Sequence, residues 1–292
     1  MAQIDTKCLI GLAIGDALGE PFEGLHATQI EKVWKGDGFF KDPEITDDTI
    51  LTIIVAESIL EQRGVSGESI GRKIISNEDK LRRIGPTTSN AIYMLKEDIK
   101  FKSKTGTTNG AAMRASPVGL ACDKNIIEET VEASQVTHGT DVAISGACCI
   151  SSAINSAINA SDKDEVIEEC IKGAMEGRRS GVPTNLPKID DMIELALDTP
   201  IRMLSEVIGV GIQTHESVPC AVALFYSSND FKDAVVNAVK LGGDTDTIAS
   251  MSGAISGAFY GEVPSSWALS IKEVGYLDKL EKGLLKLKFS SV

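Results

Sequence analysis

The chain has 292 residues, of which 42% are apolar and only 5% aromatic, and it carries 27 glycines. That composition supplies a large core and suits closely packed helices better than a β-sandwich, whose strands favour aromatic and β-branched residues. With 42 acids against 29 bases, the net charge is −13, a field that repels nucleic acid and anionic membrane. A phosphate-bearing ligand would also be repelled unless bound cations changed the local sign.

The predicted elements are helical almost throughout. Residues 8–14 form a short apolar run bracketed by Asp5 and Asp16, which argues against a signal peptide, and residues 8–18 as a whole read as a buried helix. The stretch Gly15-Asp16-Ala17-Leu18-Gly19-Glu20-Pro21-Phe22-Glu23 follows and ends in a Gly/Pro turn. Loops are expected at 19–24, 36–44, 102–110, 178–188 and 262–265. Residues 50–60, 142–158 and 248–260 are apolar all round, so they belong inside a bundle. In the last of these, Gly253, Gly257 and Ala258 let neighbouring backbones approach closely. Amphipathic helices are marked by Val166, Ile167, Cys170, Ile171, Ala174 and Met175. Ile189, Met192, Ile193, Ala196 and Leu197 repeat the spacing, as do Phe231, Ala234, Val235, Ala238 and Val239. Residues 285–289 are the one period-two run. The expected architecture is a single all-α domain, an orthogonal helical bundle spanning residues 1–292, without internal repeats.

Cys8, Cys122, Cys148, Cys149, Cys170 and Cys220 form no C-x-x-C pair, which favours a reduced, cytoplasmic protein. His26, His138 and His215 are too few and too scattered for a zinc site.

Two acidic clusters carry the chemistry. Thr46-Asp47-Asp48-Thr49 and Gly242-Gly243-Asp244-Thr245-Asp246-Thr247 each open a buried helix. Singly, each reads as a helix cap with acids in the first turn. Brought together they would form an all-oxygen site for hard divalent cations such as Mg2+ or Mn2+. Three further helix entries are candidate ligand loops: Gly85-Pro86-Thr87-Thr88, Asn109-Gly110-Ala111-Ala112-Met113-Arg114 after Thr105–Thr108, and Thr137-His138-Gly139-Thr140-Asp141. Competing motifs fit poorly. The phosphatase pattern D-x-D-x-[TV] meets Ile248 at its fifth position and follows a helical segment. The glycosyltransferase D-x-D needs an α/β sheet, and neither phosphate-binding glycine motif is present.

Taken together, these segments resemble the ADP-ribosylglycohydrolase family. The matching residues run in the family's order from 11 to 261: Gly15–Gly19 with Glu23, Thr46–Thr49, Asn109–Arg114, Thr137-His138 and Gly242–Thr247. The resemblance implies an all-α bundle with a central cleft for two cations, Mg2+ or Mn2+. It implies metal ligands at Thr46, Asp47, Asp48, Asp244, Asp246 and Thr247, and catalytic carboxylates at Glu23 and Asp48. Gly85, Gly106, Thr107, Thr108, Asn109 and His138 would hold ADP-ribose. The implied reaction is hydrolysis at C1″ of ADP-ribose, freeing a modified arginine, serine or other acceptor. The implied partners are an ADP-ribosylated protein or small molecule, with ADP-ribosylated nucleic acid left open; the expected state is a monomer. A nucleotide-diphosphate hydrolase with two metals, a non-catalytic member of the fold and an ADP-ribose-binding module stay as alternatives.

Overall fold

The computed structural model describes residues 6–36, 43–81 and 83–290. Part of the expected loop at 36–44 therefore lies outside the described residues. Among those described there is no strand, and sixteen α-helices account for the fold. They are α1 (Cys8–Gly19), α2 (Ala27–Val33), α3 (Asp47–Gln62), α4 (Gly67–Ser76), α5 (Pro86–Glu97), α6 (Ser116–Ala121), α7 (Ile126–Gln135) and α8 (Asp141–Ala157). The second half adds α9 (Lys163–Arg178), α10 (Ile189–Leu197), α11 (Leu204–Val207), α12 (Thr214–Ser227), α13 (Phe231–Leu241), α14 (Thr245–Tyr260), α15 (Ser265–Ser270) and α16 (Val274–Ser290). No helix is long and apolar enough to cross a membrane among the described residues.

The centre of the bundle is the crossing of α1 and α14. Every residue of α1 is buried, and α14 is buried from Thr245 to Ala258. The helices meet backbone to backbone, as the small-residue spacing in 248–260 predicts. A Cβ at Gly11 would sit 2.4 Å from the Gly253 carbonyl oxygen, and one at Gly15 2.1 Å from that of Ala249. Such contact is open only to glycine, and it offsets the helix-weakening effect of roughly 1 kcal/mol per glycine. The start of α1 has no cap of its own, since Lys7 makes no side-chain cap bond. Glu281 of α16 does that work, accepting from the amides of Cys8 at 3.0 Å and Leu9 at 2.9 Å and from the Thr6 hydroxyl.

Two sequence expectations need correction. Residues 285–289 lie within α16, where Leu284, Leu285 and Lys288 are buried at helical spacing. The Gly15–Gly19 motif is not a segment after the first helix but the second half of α1 itself.

Candidate active site: two carboxylate triads in one cleft

Three helix ends converge on one point. Thr46 caps α3, its Oγ1 accepting from the Asp48 amide at 3.2 Å. From α1, Asp16 Oδ2 accepts from the Thr46 amide at 2.9 Å, the Thr49 amide at 3.2 Å and the Thr49 hydroxyl at 2.5 Å. Asp16 therefore fastens the first acidic cluster to the central helix. The second cluster is aimed by Gly242 and Gly243, at φ 83° and 76°. Gly243 donates to Leu25 O at 2.9 Å and Asp244 to Val210 O at 2.7 Å. A Cβ at Gly243 would meet that Val210 oxygen at 2.1 Å. Thr245 Oγ1 donates to Gly19 O at 2.8 Å, which locks the start of α14 onto the end of α1.

The result is two carboxylate triads. One oxygen each from Asp16, Asp48 and Asp246 lie within 4.8 Å of one another, and so do one each from Glu23, Asp244 and Asp246. Asp246 belongs to both. Asp48 is further fixed by hydroxyl donors, Ser250 Oγ at 2.9 Å and Thr247 Oγ1 at 3.3 Å. Asp244 Oδ2 accepts from Asn109 Nδ2 at 2.5 Å. Asp47 lines the cleft but enters neither triad among the described residues. Thr46 serves as the α3 cap and donates to Asp48 Oδ2 at 3.3 Å.

The electrostatics follow from burying acids together. Burial, then the charges of Asp244, Glu23 and Asp16, push Asp246 up to about 9. Burial, followed by Asp16, raises Asp47 to about 7. Asp48 is raised well above the carboxylate range by burial and then Asp16. Burial outweighs hydrogen bonding at Asp16 and Asp244 and raises each to about 6. The fold thus gathers six carboxyls, Asp16, Glu23, Asp47, Asp48, Asp244 and Asp246, around a cleft whose lining holds one cation among the described residues, Arg83. The donor set is all oxygen, and Asp16 Oδ1 is buried with no hydrogen-bond partner. An unpartnered carboxylate oxygen inside a triad fits a hard divalent cation.

The cleft over these carboxylates has a volume of about 110 Å3. Its opposite wall comprises Gly85, Thr87, Thr88, Thr108, Asn109 and Ile212, with Arg83 its only cation among the described residues. Arg83 bridges Glu20 at 2.7 Å and Glu23 at 3.1 Å. The loop before Asn109 is held by a bridge between Thr108 and Gln213 and by Thr107 Oγ1, 2.8 Å from Gln213 Oε1. His138 lies behind this loop, 1% exposed, and is absent from the lining, as are Gly106 and Thr107. Its Nε2 pairs with Thr108 Oγ1 at 2.9 Å and its Nδ1 with Thr137 Oγ1 at 2.7 Å. Burial, reinforced by Arg114, pushes its pKa down to about 3, so the ring is neutral. Arg114 itself is buried and donates to Gly110 O and to Thr137 Oγ1 at 2.7 Å. A larger groove, about 890 Å3, runs between α7 and α9, but it shares no residue with the cleft.

Sequence reasoning quoted Asp16 only within the Gly15–Gly19 motif and gave it no role, and it did not single out Ser250, Arg83 or Ile212. Asp16 alone left a usable signal: an acid in the middle of an apolar helix has to be doing something there.

An all-α bundle with paired carboxylate triads in a central cleft defines a class, and the comparisons place the chain in it. The chain belongs to the ADP-ribosylglycohydrolase family, which matches residues 6–290. It is 33% identical to an uncharacterized protein of Archaeoglobus fulgidus, covering 96% of this chain and 95% of that one. It is 26% identical to the human ADP-ribosylhydrolase ARH3, covering 95% and 91%. A solved ADP-ribosylglycohydrolase-related protein complex shares the fold, with TM-score 0.76 and 23% identity over 98% of this chain and 99% of that one. Family membership supports a glycohydrolase acting on ADP-ribosylated substrates, and the acidic clusters are able to bind metal.

Proposed function

We propose that the protein hydrolyses the glycosidic bond at C1″ of ADP-ribose, releasing ADP-ribose from a modified acceptor in a reaction that depends on two Mg2+ or Mn2+ ions. The observation that carries this reading is Asp246 shared between two carboxylate triads at the floor of one cleft. Thr46, Asp47 and Asp48 would hold the cations from one side, and Asp244, Asp246 and Thr247 from the other. When bound, the cations supply Lewis-acid polarisation and lower the pKa of water at the site.

The chain's own residues do the rest. Asp48, pinned by Ser250 and Thr247, orients the attacking water and the distal ribose hydroxyls. Glu23 stands at the rim and takes the proton from that water. The amides of Gly106, Thr107 and Thr108 donate to no protein acceptor among the described residues, and we assign them to the diphosphate where it leaves the cleft past Thr108. Gly85 and Asn109 flank that position, and His138 props the loop from behind as a neutral ring. The acceptor is an arginine, a serine or another ADP-ribosylated group carried on a protein or small molecule.

The test is release of free ADP-ribose from arginine-, serine- and nucleic-acid-linked substrates, in Mg2+ and in EDTA. Release from one of them, lost in EDTA, supports the hydrolase and names the acceptor class. AMP as product would instead mean a diphosphate hydrolase. Tight ADP-ribose binding without release from any substrate would mean a binding module.

A further inference from the structure

A second pocket, about 270 Å3, opens where the C-terminal ends of α3 and α6 meet the start of α7 and the last turns of α16. It lies at the opposite end of α3 from Thr46, Asp47 and Asp48, roughly 24 Å along that 16-residue helix. Lys288 of α16 lines it and is only 5% exposed. Its ammonium makes no hydrogen bond and no ion pair among the described residues. Asp123 attracts Lys288 without reaching ion-pair distance, and burial pulls its pKa down. Arg63 and Lys124 also line the pocket, against Asp123 and Glu129. Glu129 is already engaged by the Val65 amide. Arg63 ends α3 in the left-handed conformation, at φ 57°. Three cations thus face two acids in a chain whose net charge is −13.

A buried ammonium without a counter-ion is destabilising, and folded proteins normally pair such a charge or neutralise it. An Arg fork beside two lysines also suits the several oxygens of a phosphate better than a single carboxylate. We propose that this pocket binds a small phosphate-bearing anion, with Lys288 as its innermost ligand and Arg63 and Lys124 at its mouth. The site is independent of the carboxylate cleft and of the reaction assigned to it.

Isothermal titration tests it, with EDTA present so that no cation holds phosphate in the cleft. The probes are inorganic phosphate, ribose 5-phosphate and citrate. The wild-type protein binds at least one phosphate probe at a single site, more tightly than citrate. Tighter binding of ribose 5-phosphate identifies an organic phosphate as the occupant, and tighter inorganic phosphate identifies the free ion. Lys288→Met weakens binding about tenfold or more. Arg63→Asn, at an exposed position where Asn tolerates the left-handed backbone, weakens it too and guards against misfolding of the first variant. Asp48→Asn binds like wild type. No binding of either phosphate probe, citrate binding as tight as phosphate, or undiminished binding by both Lys288→Met and Arg63→Asn would overturn the proposal.

Discussion

Replacing Asp246 with asparagine separates the cation reading from a purely structural one. Without cations, burial and then Asp244, Glu23 and Asp16 move this carboxyl from 3.8 to about 9. Between those values the folded protein binds more protons at this site than the unfolded chain does. Stability therefore falls as pH rises through that window, by at most one proton, or about 1.4 kcal/mol per pH unit. From about pH 6 to about pH 8 the metal-free wild type loses up to about 2.7 kcal/mol through this group, roughly 5 °C or more in Tm. Asp246→Asn removes that slope, so in EDTA at the higher pH the variant melts above wild type. Adding Mg2+ at about 100 times its Kd stabilises wild type by about 2.7 kcal/mol, and the variant gains almost nothing. Thermal melts at two pH values, with EDTA and with Mg2+, read all four states. A variant that melts below wild type in EDTA and still gains fully from Mg2+ would refute the shared-ligand reasoning.

Three further outcomes are expected. Asp48→Asn keeps the far-ultraviolet circular dichroism of wild type but loses ADP-ribose release by at least about a hundredfold, measured by product chromatography. His138→Ala loses both ring hydrogen bonds and opens a hole, a loss of about 2–4 kcal/mol in denaturant unfolding. Because the His138 pKa falls from 6.5 to about 3 on folding, the unfolded chain binds the extra proton between those values. The His138 contribution is complete above the upper value and is lost as pH falls, so acid unfolding of His138→Ala is shallower than that of wild type. Gly19→Ala places a Cβ 2.4 Å from the Asp246 Cα; it costs about 3 kcal/mol and weakens Mg2+ binding measured by calorimetry.

Much of the fold was legible because helical periodicity reports which face is buried, and because apolar all-round helices have only one place to go. The acidic clusters were legible as helix starts, and their proximity in the structure is what composition alone could not supply. Asp16 was harder to read. Its spacing says buried, yet its partners, Thr46 and Thr49, lie 30 and 33 residues away. The tail stood out as a period-two run because Leu285-Lys286-Leu287-Lys288-Phe289 alternates apolar and basic residues. In the helix that pattern buries Lys288 beside Leu284 and Leu285, a placement no propensity predicts. His138 was expected among the ligand-holding residues; the structure places its ring behind the loop, outside the lining of the cleft.

The glycine seam between α1 and α14 has one more implication. Asp16 and Asp246 stand on these two helices, so their spacing is set by backbone touching backbone, with no side chain between to be lengthened or trimmed. A gap defined in this way is insensitive to most substitution elsewhere. The rim residues, such as Arg83 and Ile212, stand apart from that seam and can change without disturbing it. The inner carboxylates are therefore held like a fixed gauge, and the mouth of the cleft can vary without moving them.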